Sequence, residues 1–224
     1  FAAVRHILLQ NQQQLVLEKN YKAAQYSALK AQLNPHFLFN TLNLLSSEIE
    51  HNPEKAVYIL DELSGLLRRV LSSSSKPRVP LVKELELIGH YLVLQKMRFE
   101  DNLKYSIEVP DECLNMAVPS LLLQPFVENC FVHGFKEKLL SAQIIIDVSL
   151  KNKVLYISIK DNGAGFDSRL HPAGQGISLM RDTLDLLYGG ANKGLASVDV
   201  YSQIDKGCEV VIRVPADNWV KNAF

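Results

Sequence analysis

The feature that most constrains the fold is the run "SSSSKPRVP" at residues 72–80. Four serines and two prolines within nine residues favour a linker over a helix or a strand. Before this run the apolar residues recur at helical spacing. After it, helical patterns alternate with strand patterns. We therefore predict a helical domain over residues 1–75 and a second, mixed domain over residues 76–224.

The first domain is predicted to consist of helices only. Residues 4–33 contain neither Pro nor Gly, and their pattern favours a long, partly polar helix with a narrow apolar seam. Such a helix is typical of a coiled coil or a helix pair, and a surface helix packed on its own domain is the alternative. Two further helices are predicted, one over 35–50 and one from Pro53 to about Leu71.

The second domain mixes helices with strands that pair through short turns. Helices are predicted over 81–98, 119–135 and 175–188. Strands are predicted over 103–109, 143–150, 154–160, 196–203 and 208–215. Hairpin turns are predicted at Lys151-Asn152-Lys153 and at Asp205-Lys206-Gly207. This order predicts an α+β fold, a mixed sheet with helices on one face.

Composition excludes several classes of protein. The chain has 24 basic and 24 acidic residues, so it lacks the basic excess of a nucleic-acid binder. Three widely spaced cysteines argue against a disulfide framework and against a zinc site, and they fit a reducing, cytoplasmic setting. No apolar run approaches the roughly 20 residues of a membrane span. Because the chain starts at Phe1 within a helical pattern, we expect it to be part of a longer protein.

Two glycine-containing loops are candidate ligand sites. "DNGAGF" at 161–166 follows a predicted strand, so Gly163 and Gly165 would let the backbone approach a ligand, and Asp161 could accept a hydrogen bond from an exocyclic amine such as that of adenine. "GQG" at 174–176 precedes a predicted helix, where Gly174 and Gly176 suit phosphate groups. The alternative is two ordinary glycine-rich turns.

Three polar residues interrupt the apolar stretch "LLLQPFVENCFVHGF" at 121–135. Asn129 and His133 are four residues apart and would share a helix face, with Glu128 beside them. An Asn oxygen is a plausible ligand for Mg²⁺, and a His could reach a phosphate. The alternative is that these residues cap or bridge within the core. The absence of "GxxxxGK[ST]" excludes a P-loop.

A proline and a histidine interrupt a helical pattern in "NPHFLFN" at 34–40. Pro35 either kinks the helix or opens a new one that Asn34 caps. From there His36 falls on the polar side, where a neutral imidazole nitrogen could act as a nucleophile. The alternative is an ordinary surface histidine beside a helix cap.

The order of these motifs resembles the LytS/YehU-like sensor histidine kinases. "LKAQLNPHFLFNTLN" resembles the phosphoacceptor motif of that family, and "LLLQPFVENCFVHG" resembles its N box. "DNGAGF" and "GQGISL" resemble its two glycine boxes, which the gyrase, Hsp90 and MutL ATPases share, and "GCEVVIRVP" resembles the closing strand. The resemblance covers roughly residues 25–215.

The resemblance implies a helical dimerisation and phosphoacceptor region followed by a Bergerat-type α/β sandwich that binds ATP. It also implies a role for each matching residue. The implied roles are His36 as phosphorylated residue, Asn129 as Mg²⁺ ligand, Glu128 and His133 near the phosphates, Asp161 on the adenine amine, Gly163 and Gly165 in the pocket, and Gly174 and Gly176 as the hinge of a lid.

The same resemblance implies the reaction and the partners. Such a kinase phosphorylates its own histidine from ATP and Mg²⁺, then passes the phosphoryl group to an aspartate of a response regulator. It forms a homodimer through its N-terminal helices, and its parent protein is a membrane-anchored sensor with this portion in the cytoplasm.

Two motifs depart from the family pattern and leave alternatives open. Leu179 and Thr183 stand where the second glycine box has Asn and Arg, and Cys208 stands where Thr is common. A non-catalytic, nucleotide-sensing dimerisation module is therefore one alternative, and an ATP-hydrolysing clamp is another. Because Phe37 rather than an acid follows His36, the sequence does not identify a general base.

Overall fold

The computed structural model describes residues 34–73, 76–135, 141–167, 175–188 and 195–217. The helix predicted over 4–33 lies outside these ranges. The described part begins with helices α1 (Pro35–His51) and α2 (Pro53–Ser73), as predicted. Between them the Asn52 side chain accepts a hydrogen bond from the backbone N–H of Lys55, at 3.1 Å, and Pro53 occupies the first helical position.

Helix α3 (Leu81–Phe99) packs antiparallel against α2. Glu62 of α2 pairs with His90 of α3, with 2.7 Å between Oε2 and Nδ1, and Arg69 pairs with Glu86. Gly65 allows this close approach, because a Cβ there would lie 2.7 Å from Cε1 of His90. The predicted domain boundary between α2 and α3 stays a prediction.

The predicted linker is shorter than expected at both ends. Helix α2 continues to Ser73, and strand β1 (Arg78–Pro80) pairs antiparallel with β3 (Ala117–Pro119). The pairing partner is distant in the chain, so local composition alone did not indicate this strand.

A mixed sheet of five strands forms the second half. Its strands are β2 (Leu103–Glu108), β4 (Ala142–Lys151), β5 (Val154–Asp161), β6 (Ser197–Gln203) and β7 (Gly207–Pro215), in the spatial order β2-β4-β5-β7-β6. Only the β2–β4 pair is parallel within these strands. Both predicted hairpins are confirmed, and the β4–β5 turn has positive φ at Asn152 (52°) and Lys153 (61°), as a two-residue hairpin requires.

One face of this sheet is buried and the other is polar. Ile146, Ile157 and Ile212 are at most 1% exposed and point to the buried face. On the opposite face Ser158 donates to Glu209, and Arg213 pairs with Asp199. Helices therefore cover one face, which confirms the predicted α+β class.

The helix predicted over 119–135 is wrong at its start. Strand β3 ends at Pro119, and helix α4 covers only Gln124–Asn129 before a π-helix over Cys130–Gly134. The backbone of Leu121 is left-handed, with φ of 60°, and this interrupts any helix there. Helix α5 covers Gln175–Tyr188, as predicted.

Candidate functional site

The buried carboxylate of Asp161 stands at the end of strand β5. The residue is 6% exposed, and its Oδ1 accepts a hydrogen bond from the backbone N–H of Gly163 at 2.8 Å. Burial raises the pKa of Asp161, while the hydrogen bonds from Gly163, Cys130 and Cys208 oppose that rise. Asp161 thus combines a fixed position with acceptor capacity toward a donor such as an amine.

The glycine loop, residues 161–166, is held by backbone contacts that leave no room for side chains. A Cβ on Gly163 would lie 2.5 Å from Cα of Gly134. Gly165 has φ of 60°, and a Cβ there would lie 2.0 Å from the carbonyl oxygen of Gln203. Ala164 N–H donates to the carbonyl of Gly134 at 2.8 Å. Only glycine fits both positions, so these two residues fix the path of the loop that begins at Asp161.

Two glycines outside the predicted set complete this packing. Gly134 ends the π-helix, and a Cβ there would lie 3.2 Å from Oδ1 of Asp161. Gly207 has φ of 91°, and a Cβ there would lie 2.0 Å from the carbonyl oxygen of Asp161. The sequence shows these glycines in "HGF" and in the second hairpin turn. It does not show that both approach Asp161, because Asp161 is distant from them in the chain.

The segment carrying Glu128, Asn129 and His133 changes from α-helix to π-helix. Phe135 N–H donates to the carbonyl of Cys130 at 2.9 Å, an i to i+5 hydrogen bond. Asn129 and His133 are both exposed, while Cys130 and Gly134 between and beside them are buried. Both predicted residues therefore face solvent at one side of this segment. Single π-helical turns are frequent at functional sites.

Glu128 lies half-buried in α4, and its pKa is raised. Its Oε1 accepts a hydrogen bond from Nε2 of Gln124 at 2.7 Å. Burial raises the pKa of Glu128 to about 7, although the hydrogen bond from Gln124 opposes that rise. Its carboxyl group can therefore gain or lose a proton near neutral pH.

His36 is the second residue of α1, and it is exposed. Its backbone N–H donates to Oδ1 of Asn34 at 3.0 Å, and Pro35 occupies the first helical position. The sequence allowed either a kinked helix or a new helix capped by Asn34, and the structure shows the cap. The His36 side chain is exposed, and Nδ2 of Asn40 lies 3.3 Å from both of its ring nitrogens.

One cavity adjoins the predicted residue Asp161. A cavity of about 290 Å³ reaches Asp161 but is otherwise lined by β5, β6, β7 and the turn after β6, with Lys160, Tyr201 and Lys206 among its residues. Asn129 and His133 do not line it. Gly174 lies outside the described residues, and Gly176 is in the first turn of α5.

Glu84 is a structurally important residue that the sequence analysis missed. It is fully buried in α3, and its carboxylate accepts hydrogen bonds from the backbone N–H groups of Leu121 (2.8 Å) and Leu123 (3.2 Å). These bonds fix the loop that leads into α4. An acidic residue on the same face as Leu81 and Ile88 was the signal that could have identified it.

Two features are absent from the described residues. They contain no cluster of three or more His, Cys, Asp or Glu side chains arranged for a metal ion. No helix among them is long and apolar enough to cross a membrane.

Comparison with known proteins gives consistent matches. The family model described as "Histidine kinase" matches residues 24–103. Sensor histidine kinase YesM of Bacillus subtilis is 31% identical over 203 residues, which are 89% of this chain and 34% of that protein. Sensor protein LytS of Oceanobacillus iheyensis is 39% identical over 156 residues, 70% of this chain and 27% of that protein.

Solved structures were compared as well. The histidine kinase domain of the blue-light activated histidine kinase of Erythrobacter litoralis EL346 has a TM-score of 0.49 at 16% identity, covering 86% of this chain and 91% of that one. The chain spans about a third or less of the length of YesM and LytS. The sequence matches agree with the resemblance of the motifs, and the chain belongs to the LytS-like family of sensor histidine kinases.

Proposed function

We propose that this chain is the kinase core of a two-component sensor. It phosphorylates His36 from ATP and passes the phosphoryl group to an aspartate of a response regulator. The observation that carries the proposal is the combination, in one chain, of a capped and exposed His36 with a buried Asp161 beside a glycine loop. The helical region 1–75 would present the histidine, and region 76–224 would bind the nucleotide.

The Asp161 end of the sheet fits an adenine nucleotide. The carboxylate of Asp161 would accept a hydrogen bond from the adenine amine, and a charged acceptor makes such a bond strong. Gly163 and Gly165 would hold the loop after Asp161 in place, because a Cβ at either residue would clash with a neighbouring segment of backbone. Gly174 and Gly176 would form the hinge of a lid at the start of α5.

Two exposed residues, Asn129 at the end of α4 and His133 in the π-helix, suit the phosphate end of the nucleotide. Asn129 would hold Mg²⁺ through its side-chain oxygen, and His133 would lie near the phosphates. Bound there, Mg²⁺ would neutralise phosphate charge during the transfer.

The chemistry at His36 is an in-line phosphoryl transfer. A ring nitrogen of neutral His36 forms a bond to the γ-phosphorus while the bond from that phosphorus to the bridging oxygen of ADP breaks. The phosphorylated imidazolium then loses the proton on its other ring nitrogen. We propose a catalytic role for Glu128, which is the neighbour of Asn129 in the chain and would lie near the phosphates.

Exposed apolar side chains on the first two helices support a homodimer. On α1 and α2 seven large apolar side chains are 48–67% exposed, and a second copy of the chain would remove them from water. They are Phe39, Leu42, Ile49, Val57, Tyr58, Leu60 and Leu71. We further propose that the parent protein is a membrane-anchored sensor that holds this core in the cytoplasm.

Labelling from γ-labelled ATP with Mg²⁺ tests the proposal. The unaltered chain is expected to gain label that is stable to base and labile to acid, and both His36→Gln and Asn129→Ala are expected to lose it. His36→Gln should still bind ATP in calorimetry. The matched control is His51→Gln, because His51 is an exposed histidine at the other end of α1 and should not affect labelling.

The outcomes separate the proposed kinase from its alternatives. Label that persists in His36→Gln would contradict the assignment of the phosphorylated residue. ATP binding without any label would favour the nucleotide-sensing module, which the departures at Leu179, Thr183 and Cys208 motivate. ATP turnover without a phosphorylated protein would favour the hydrolysing clamp.

A further inference from the structure

Phe37, the residue after His36, is buried while His36 is exposed. Phe37 is 4% exposed, and its ring centroid lies 4.6 Å from that of Tyr91 on α3. Its carbonyl oxygen accepts a hydrogen bond from the buried hydroxyl of Thr41 at 2.9 Å. The backbone that carries His36 is thus attached to α3 by the very next side chain.

Tyr91 continues this contact toward the π-helical segment. Its ring, 1% exposed, lies 5.6 Å from the ring of Phe131 in an edge-to-face arrangement. Phe131 lies between Asn129 and His133 in the chain, and its ring also contacts those of Phe99 (5.6 Å) and Phe135 (5.5 Å). The ring of Tyr91 therefore bridges Phe37, the residue after His36, and Phe131, in the segment proposed to lie near the phosphates.

The electrostatics of Tyr91 indicate the same proximity. Burial raises the pKa of its hydroxyl, and the nearby Glu128 carboxylate raises it further. The hydroxyl accepts a hydrogen bond from Nε2 of Gln95 at 2.8 Å, which fixes the ring. Tyr91 therefore contacts the phosphoacceptor helix on one side and lies near α4 on the other.

We propose that the aromatic chain Phe37–Tyr91–Phe131 is a positioning element that holds the phosphoacceptor end of α1 at the nucleotide domain for phosphoryl transfer. This inference rests on the proposed function of His36. Packed aromatic rings at these distances are directional contacts, so they fix orientation as well as proximity. Loss of such positioning by about 1 Å can lower a transfer rate by about 100-fold.

The role of Phe37 predicts a particular kinetic signature. Phe37→Ala should lower the rate of His36 labelling at saturating Mg-ATP by about tenfold or more. The KM for ATP and the Kd for the nucleotide should change by less than about twofold, because Phe37 acts on the transfer and not on nucleotide binding. Phe37→Leu, which keeps an apolar side chain without a ring, should give an intermediate rate and serves if the Ala variant does not fold.

A matched control separates positioning from general loss of stability. Leu66 on α2 is fully buried in the same helical layer but has no place in the aromatic chain. Leu66→Ala should lower Tm by an amount similar to Phe37→Ala while its labelling rate stays within about threefold of the unaltered chain. Unchanged labelling in Phe37→Leu, or equal losses in Phe37→Leu and Leu66→Ala, would overturn the proposal.

Hydrogen exchange gives a readout that does not depend on kinase activity. Phe131→Leu removes a ring from the side of the π-helical segment, and it should speed amide exchange in the first turns of α1. Exchange there that is the same as in the unaltered chain would overturn the positioning contact. If the unaltered chain gains no label at all, the proposed function fails separately, and the exchange result still decides the contact.

Discussion

Replacing Glu84 by Gln tests whether a buried carboxylate organises the approach to α4. Glu84 is fully buried, and its two oxygens accept hydrogen bonds from Leu121 and Leu123. Its amide replacement keeps one acceptor but places an NH₂ group against a backbone N–H. Leaving that donor without a partner costs about 1–3 kcal/mol, so the free energy of unfolding should fall by that amount at low pH.

The pH dependence of this loss follows from the pKa of Glu84. Burial raises that pKa from 4.5 to about 7, against the opposing hydrogen bonds from Leu121, Leu123 and Leu122. The folded state therefore binds the proton more tightly than the unfolded state, and the stability that Glu84 contributes is present below pH 4.5 and is lost as the pH rises to 7. At roughly 1.4 kcal/mol for each pH unit of the shift, the loss amounts to about 3 kcal/mol.

Urea unfolding at pH 5, 6, 7 and 8 measures this difference directly. Gln does not titrate, so the free energy of unfolding of the unaltered chain relative to Glu84→Gln should fall by about 2.5 kcal/mol between pH 5 and pH 8. Glu86→Gln is the matched control on the same helix, because Glu86 is partly exposed and pairs with Lys83 and Arg69, so its effect should stay below about 1 kcal/mol. An advantage that grows with pH would refute the reasoning, since it would mean that the backbone N–H groups outweigh burial.

Two substitutions at the glycine loop test the nucleotide site. Gly163→Ala should lower both Tm and nucleotide affinity, because its Cβ would lie 2.5 Å from the backbone of Gly134. In the control Gly89→Ala, nothing lies within 4 Å of the added Cβ in α3, so the free energy of unfolding should rise by about 0.5–1 kcal/mol. An unchanged Tm in Gly163→Ala would contradict the packing of the loop. Asp161→Asn should weaken ATP binding by about tenfold or more in calorimetry, and inosine nucleotides, which lack the amine, should be affected much less. Because the pKa of Asp161 is raised, lowering the pH should protonate this carboxylate, and so weaken ATP binding, at a higher pH than for an ordinary aspartate. Equal losses of affinity for ATP and inosine nucleotides in Asp161→Asn would refute the assignment to the amine.

Local signals in the sequence predicted most of the secondary structure. The helices over 35–50 and 175–188 and both hairpins depend on periodicity, prolines and turn residues that act within a few positions. The same kind of signal predicted the Asn34 cap as one of two alternatives. The roles of Asn129, His133 and the glycine loop came from motif order, and they stay predictions until nucleotide binding is measured.

The errors have a common physical origin in contacts between distant residues. Strand β1 was predicted as linker because its partner, β3, lies about 40 residues further along the chain. The start of α4 was placed too early because the N–H groups at Leu121 and Leu123 bond to Glu84 in α3, instead of joining a helix. Neither contact produces a pattern within the window that a periodicity argument uses.

Helix α3 illustrates what periodicity leaves out. A helix with one apolar stripe would bury Ile88 and Leu92, yet Leu87, Tyr91 and Leu94 are buried as well. A single stripe is enough for a helix on the surface of one domain, and burial around most of the circumference requires neighbours on several sides. Those neighbours are α2, the loop before α4 and the π-helical segment. Because α3 contacts both α1 and the π-helical segment, we expect that a substitution in α1 changes the packing at the proposed nucleotide site.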